Sequence, residues 1–444
     1  MARRRSLDIL LVSPLAPSKL LGGNFYFRLP FLGLPTVAAY TPPGDRVRIV
    51  DEKVSPIPWE PKPDLVGITA MTPLAPRAYQ IADRFRAMGV PVVMGGMHPT
   101  VMAEEALRHA DAVVVGEAEG VWPRVVEEAR EGRLSGLYLA RDRPDLAVAR
   151  PPRRDLLEAG RYLPVTFIET SRGCPHACRF CSVTRFFGGR HRTFPVDDVV
   201  AQLRELRPTE RRFALKNCVF FVDDNIIGDP DHALALFEAI RPFRLKWFGQ
   251  ASISLAERPD LLEAMAASGC LGLEMGFETL CEDAEARRIG KPVRDPKDVL
   301  EAVEVIRSHG IGLQGSFIFG FDHDDPGVFE RTARFVDRAR LNAVYVGILT
   351  PYPGTALHAR LRKEGRLLHE RWEEYDTAHV VFRPRRMTPR QLLEGYHRVL
   401  RHVYSWRSMG RRLLGSRVGM NFFVPMNLGF KVSLRRFLRD AAAE

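Results

Sequence analysis

The chain has 444 residues, 45% of them hydrophobic, and a formal net charge of +11. That length exceeds what one hydrophobic core organises, and the composition excludes a disordered chain, so two domains and a tail are expected. Six cysteines, three of them within eight residues, exclude a disulfide scaffold and point to metal ligation. Arginine is spread over the whole chain, so the charge singles out no nucleic-acid surface. The apolar run Ile9–Val12 stops at Ser13-Pro14, too short for a secretory signal, and charges or prolines break every longer apolar segment. The expectation is a cytoplasmic protein, soluble or peripheral to a membrane.

In chain order, the first 130 residues alternate apolar β-branched runs with helical patterns. The runs are Leu7–Ser13, Val47–Asp51, Asp64–Thr69, Val90–Gly95 and Ala112–Gly116. Tyr79, Ile81, Ala82 and Phe85 make a helical stripe over Ala75–Met88 that ends at Gly89. This predicts an α/β, flavodoxin-like doubly wound domain over residues 1–140, with its ligand crevice beyond the carboxyl ends of the strands. A Pro-, Arg- and Asp-rich stretch, 141–160, reads as a linker. A second series follows over 161–360, with strands Val165–Glu169, Val219–Asp223, Trp247–Ser252, Leu271–Phe277, Leu313–Phe319 and Ala343–Leu349. Six such units fit a partial (β/α)6 barrel, whose chemistry belongs at the strand carboxyl ends. Residues 361–444 read as a helical, basic and aromatic extension in which Thr388 caps a helix opened by Pro389.

Cys174-Pro-His-Ala-Cys178-Arg-Phe-Cys181 directly follows the first barrel strand. Three thiolates spaced C-x3-C-x2-C can bind three irons of a [4Fe–4S] cubane and leave the fourth without a protein ligand. The competing reading is a structural zinc site completed by His176 or His191, which places a four-ligand metal where a barrel enzyme keeps its active site. Cys218, Cys270 and Cys281 are scattered and read as packing residues.

The cysteine loop, with Phe180 just before its last cysteine, resembles the radical S-adenosylmethionine (SAM) superfamily over roughly residues 160 to 360. Further strand ends share the resemblance: Phe221-Val-Asp-Asp-Asn225, Gly276-Phe-Glu-Thr279, Gly315-Ser-Phe-Ile-Phe-Gly320 and Thr350-Pro-Tyr-Pro-Gly-Thr355. The resemblance implies that Cys174, Cys178 and Cys181 hold the cluster and that SAM meets Phe180, Asp223, Asp224, Gln250, Ser252, Glu278, Ile318 and Tyr352. Arg288 and Lys291 are further candidates, for the methionine carboxylate, with an exposed basic pair as the competing reading. The usual Gly-Gly-Glu is absent, and the Asp-Asp form that replaces it resembles a cobalamin-associated subgroup.

The amino-terminal domain strengthens that resemblance through Gly95-Gly-Met-His-Pro-Thr100 and Val114-Val-Gly-Glu-Ala-Glu119. It implies a cobalamin site at Thr69, Gly95, Gly96, His98, Gly116 and Glu117, with His98 and Glu117 hydrogen-bonding the corrin periphery. Asp51-Glu-Lys-Val-Ser-Pro contains no histidine, so the lower axial ligand of other cobalamin proteins is missing; the competing reading is a domain that binds no corrin. Both cofactors together imply methylation of an unactivated carbon. Trp247–Ser254, Thr350–Thr355 and Tyr375–Phe382 resemble hopanoid methylases and anaerobic tetrapyrrole cyclases, which implies an apolar or amphipathic substrate and a flavodoxin or ferredoxin as electron donor. Oxidative cyclisation, tRNA or ribosome modification, and a cobalamin or redox sensor are the alternatives. The aromatic and basic tail suits either an interfacial segment or a helical lid packed on the barrel.

Overall fold

The computed structural model describes residues 5–15, 28–206, 218–280, 290, 296–416 and 418–440. The chain divides into two compact units. The first runs to Leu163 and includes Tyr352–Gly354 and Arg371–Asp376; the second holds the remainder.

The first unit is a parallel sheet of β1 (Asp8–Ser13), β2 (Arg46–Asp51), β3 (Leu65–Thr69), β4 (Val92–Gly95), β5 (Ala112–Val115) and β6 (Gly136–Leu139), in the order 2-1-3-4-5-6. Its helices are α1 (Gly33–Ala39), α2 (Ala75–Ala87), α3 (Met97–Val101), α4 (Ala103–Leu107) and α5 (Trp122–Arg130). The strands are apolar throughout because each face packs into its own core. Leu10, Val12, Val66 and Ile68 meet Tyr79, Ile81 and Phe85 of α2 on one side, whereas Ile9, Leu11 and Val114 meet Trp122, Val125 and Val126 of α5 on the other. Strand β6 escapes the sequence pattern because only Tyr138 of its four residues is buried. Residues 141–160 carry only short helical turns and are mostly exposed, with a few ties to the first unit. Leu146 is buried, and the backbone N–H groups of Arg150 and Arg153 donate to the Tyr40 hydroxyl and the Pro35 carbonyl.

The second unit is built on β7 (Thr166–Ile168), β10 (Cys218–Phe221), β11 (Lys246–Gln250), β12 (Cys270–Glu278), β13 (Gly312–Phe319) and β14 (Ala343–Ile348), all parallel and in sequential order. A short antiparallel pair, β8 (Ser171–Arg172) and β9 (Arg192–Thr193), brackets the cysteine loop. Helices α6 (Ser182–Phe187), α7 (Val196–Glu205), α8 (Pro230–Ile240), α9 (Pro259–Ser268), α10 (Pro296–Ser308) and α11 (Val328–Ala339) alternate with the strands. They are followed by α12 (Ala356–Lys363), α13 (Pro389–Val403), α14 (Trp406–Ser416) and α15 (Met420–Asp440). This is the partial (β/α)6 barrel expected from the strand spacing.

Strand alternation sorts the barrel residues. Leu273, Met275 and Phe277 of β12 are buried on the outer face, where Phe277 packs edge-on against Phe335 of α11. Gly272, Glu274, Gly276 and Glu278 take the inner face. Near the strand starts α15 closes that face. A Cβ on Gly272 or Gly312 would lie 2.6 or 2.3 Å from the Phe423 ring, and Phe248, Ala343 and Leu413 complete the plug. Tyr404 and Phe437 are buried as well. These tail aromatics therefore pack as the helical lid does. Arg412, wholly buried, donates to the Leu341 and Val403 carbonyls and to Asn427 Oδ1. Thr388 and Gln391 form a capping box on α13. Among the described residues no helix is long and apolar enough to cross a membrane.

Candidate active site

The cysteine loop is held from several sides. Gly173, just before Cys174, has φ 83°, and a Cβ there would lie 2.1 Å from the Arg190 carbonyl, so only glycine fits. The Arg179 carbonyl accepts from the Leu357 N–H at the start of α12 (3.0 Å), and Cys181 N–H donates to the Cys178 carbonyl (3.2 Å). Phe180 meets Phe321 edge-on, with ring centroids 5.7 Å apart. A cavity of about 380 Å³ opens there, lined by both rings, His323, Leu357 and Arg360.

The paired aspartates after β10 divide their work. Asp223 is wholly buried and accepts from Thr170 N–H (3.1 Å), Thr170 Oγ1 (2.8 Å) and Ser171 Oγ (2.5 Å). Burial pushes its carboxyl up to about 7 against the pull of those hydrogen bonds. Its oxygens are thus engaged in tying β10 to the strand that leads into the cysteine loop. That corrects the expectation that Asp223 contacts SAM. Asp224 accepts only a 3.2 Å bond from Gly173 N–H among the described hydrogen bonds, and burial pushes it up to about 6.

Glu278 ends β12 at a register shift and sits at φ 60°. A left-handed conformation is unfavourable for a residue with a Cβ, and such strain gathers at functional sites. Burial raises the Cys181 thiol above its ordinary value, and the negative charges of Asp224 and Glu278 add to the rise. Asp224 and Glu278 thus lie near enough for their charges to act on Cys181. Gln250 and Ile318 reach the same inner face from β11 and β13, each partly buried. Ser252 pairs its hydroxyl with Ser254 Oγ (2.7 Å) and its N–H with Asn225 Oδ1 (3.2 Å). Tyr352 groups with the first unit rather than with the barrel. Arg288, Lys291 and Cys281 lie outside the described residues.

All three loop cysteines are partly buried and outside any disulfide among the described residues. Among the described residues no three His, Cys, Asp or Glu side chains gather around one ion position. A cubane does not require that, since each thiolate takes a different iron. Three soft donors without a nearby fourth fit the cluster. Cys218 and Cys270 are buried in packing, and burial pushes the Cys218 thiol up to about 11.

In the first unit the glycines after β4 and β5 serve backbone geometry. Gly96 has φ 95°, and a Cβ there would meet Thr69 Oγ1 at 2.6 Å; Gly116 has φ 99°, with the Ala140 carbonyl at 3.2 Å. At Gly95 an added Cβ would make only ordinary contact, with Val114 at 3.7 Å. Gly95 thus tolerates a Cβ where Gly96 does not, and Thr69 beside it is partly exposed. His98 departs from expectation. It is wholly buried, its Nδ1 lies 3.3 Å from Thr72 Oγ1, and its Nε2 lies 3.0 Å from the Tyr79 hydroxyl and 3.5 Å from Glu105. Trp372 Nε1 also donates to Glu105 (2.9 Å). Burial opposes ionisation of Glu105, yet hydrogen bonds from His98, Tyr79 and Trp372 hold it below its ordinary value. Both nitrogens of His98 are occupied, so it braces α2, α3 and α4 and has none left for a corrin. Glu117 is buried and paired with Arg143 at 3.1 Å.

Sequence comparison agrees with both halves. The radical SAM superfamily profile matches residues 168–336, the B12 binding domain profile residues 18–126, and a domain of unknown function, DUF4070, residues 355–418. The bacteriochlorophyllide d C-12(1)-methyltransferase of Chlorobaculum tepidum is 31% identical over 81% of this chain and 79% of its own length. The chain belongs to the cobalamin-binding radical SAM methyltransferase family. The hopanoid C-2 methylase of Rhodopseudomonas palustris is 25% identical over 92% of this chain and 81% of its own. Solved structures share the fold: TsrM of Kitasatospora setae has a TM-score of 0.64 at 18% identity, covering 81% of this chain and 76% of its own. OxsB with aqua-cobalamin bound has a TM-score of 0.66 at 15% identity, covering 99% and 81%. As a member of this family the protein is a radical SAM methyltransferase that uses a [4Fe–4S] cluster, SAM and cobalamin.

Proposed function

We propose that Cys174, Cys178 and Cys181 hold the cluster, that Asp224 and Glu278 bind the ammonium and ribose hydroxyls of SAM, and that the product is an amphipathic metabolite methylated at an unactivated carbon. The hydrogen bond that ties Asp224 to Gly173, the residue before Cys174, with Glu278 at the end of β12, carries this reading. A cluster held by these cysteines would supply the one electron that cleaves the C5′–S bond of SAM to methionine and a 5′-deoxyadenosyl radical, and a corrin would supply the methyl group.

The chain's own residues do the positioning. Asp224 offers an anionic oxygen to an ammonium, which favours the ionised carboxylate that burial alone disfavours. Glu278, held at positive φ, directs its carboxylate toward a diol. Phe180 and Phe321 offer apolar surface to an adenine, and Ile318 and Gln250 flank the inner face. The glycine loops after β4 and β5, with Thr69 and Gly95, let the backbone approach a corrin whose lower face has no histidine from the Asp51 segment. A low-potential one-electron donor of the flavodoxin or ferredoxin class reduces the cluster.

The test is SAM binding to the reconstituted holoenzyme. The double variant Asp224→Ala, Glu278→Ala should keep its four irons yet bind SAM at least tenfold more weakly; unchanged affinity would remove the mapping.

One surface supports membrane contact as a second reading. Trp406 is 63% exposed and Leu414 72% exposed on α14, and Leu428 and Val432 are exposed on α15. Lys431 lies over the Trp406 ring, and Arg407, Arg411 and Arg435 flank these residues. Apolar groups among cations suit an anionic lipid surface. Sedimentation with phosphatidylglycerol vesicles, lost in Trp406→Ser with Leu414→Ser, is the expected result; equal recovery with and without vesicles would exclude it.

A further inference from the structure

Between the Phe423 plug and Glu278, the inner face of the barrel carries a polar layer in which only Gln250 has been given a cofactor role. Register places Gln250, Glu274 and Gln314 side by side on β11, β12 and β13. One step toward the strand ends, Ser316 stands beside Gly276 and Tyr345. Ser316 Oγ donates to Glu274 Oε1 at 2.7 Å. Gln314, only 5% exposed, lies beside Glu274 in the register, and its Oε1 is buried without a partner among the described residues.

An acceptor buried without a donor costs about 1–3 kcal/mol, and native proteins keep few of them. Packing does not account for it, because the outward neighbours Leu313 and Phe317 are apolar and the layer below is aromatic. Water can occupy such a position, but Gly276 has no side chain to fill the space above the layer. The plug closes the strand-start end, so a group reaching Gln314 comes from the strand-end mouth, where Glu278 stands. Glu274 Oε1 accepts from Ser316 Oγ. The layer therefore holds carboxyl and amide oxygens in fixed positions on the inner face.

We propose that Glu274, Gln314 and Ser316 form the recognition site for a hydrogen-bond-donating group, an N–H or O–H, on the methyl-accepting substrate. This rests on the methyltransferase reading of the barrel and adds to it a requirement: the part of the substrate that enters the lumen is not pure hydrocarbon. The three residues are positioning residues, and no electron or proton passes through them.

The probes are 4-fluorophenol and 1,4-difluorobenzene, nearly equal in shape and differing by one O–H. Their binding to the reconstituted holoenzyme is followed by fluorine NMR. The phenol should bind about fivefold more tightly, the factor that one net hydrogen bond contributes. Gln314→Leu and Glu274→Leu should each abolish that preference while iron content and SAM affinity stay at wild-type levels. Equal binding of the two probes to the wild type, binding of neither, or a preference that survives both substitutions overturns the proposal. Failure of the methyltransferase reading shows separately, as absence of 5′-deoxyadenosine from SAM under reducing conditions.

Discussion

The two units meet the same problem, a ligand at the carboxyl ends of parallel strands, with different materials. In the first, the crevice is made by backbone: Gly95, Gly96 and Gly116 shape the loops, while the polar side chains beside them are already engaged, His98 with Tyr79 and Thr72 and Glu117 with Arg143. In the barrel, side chains make the site: three partly buried thiols on one loop and the carboxylates Asp224 and Glu278 at strand ends. A large neutral macrocycle needs shape and close approach, whereas a cluster and a cationic cofactor need ligands and charge. Position at a strand end finds the loop in both units. It does not say which side chain on the loop faces the ligand.

That contrast can be broken most severely at the cluster. Changing Cys174, Cys178 and Cys181 together to alanine should abolish the iron and the 5′-deoxyadenosine that depends on it, measured by iron analysis and mass spectrometry. Four irons retained in that variant would end the assignment. Next comes the plug. Phe423→Ala should cost about 3–5 kcal/mol in denaturant unfolding of the barrel, because the vacated ring lies against two inner-face glycines that cannot fill the hole. Loss below about 1 kcal/mol would mean that α15 does not close the barrel.

The crevice of the first unit predicts a steric effect. Gly95→Leu should fold, since a Cβ there meets only Val114, yet should retain far less cobalamin after gel filtration. Gly96→Leu confounds folding with binding because of its positive φ and Thr69. His98→Ala should lower stability by about 1–3 kcal/mol by leaving Tyr79 and Glu105 short of partners, and should spare cobalamin affinity. A specific loss of cobalamin with unchanged stability would restore His98 to the ligand site.

The smallest expected effect is a pH dependence. Asp223 titrates at about 7 in the folded chain and at about 3.9 unfolded. A carboxyl with a raised folded pKa binds more protons when folded, so its contribution to stability falls as pH rises from about 4 to about 7. Asp223→Asn should therefore show a shallower decline of melting temperature over that window than the wild type. An equal slope would place the carboxylate outside the buried network.

Much of this was legible in the sequence where one physical rule acts alone. The first five strands and the α2 stripe are near-continuous or 3.6-periodic apolar patterns, and the cysteine spacing suits a cubane that needs only three protein thiolates. Strand β6 was not legible, because Leu137 and Leu139 are exposed and leave no repeating apolar face. Asp223 and Asp224 look alike in sequence; only the packing of Thr170 and Ser171 separates the brace from the ligand. His98 sits inside a glycine loop and looks poised for a ligand, but its partners Tyr79, Glu105 and Trp372 are distant in the chain. Glu274 left a readable trace, a carboxylate at an inward position of Leu-Gly-Leu-Glu-Met-Gly-Phe. Its partner Gln314 is about forty residues on, and only strand register joins them.

The central claim is that one chain combines cluster-driven cleavage of SAM with methyl transfer through cobalamin. The direct measurement is anaerobic incubation of the reconstituted holoenzyme with SAM, a low-potential reductant and cobalamin, with products read by mass spectrometry. Both 5′-deoxyadenosine and S-adenosylhomocysteine should form, the first lost in the triple cysteine variant and the second lost when cobalamin is withheld. S-adenosylhomocysteine formed equally without cobalamin, or no 5′-deoxyadenosine from an enzyme that carries four irons, would contradict it.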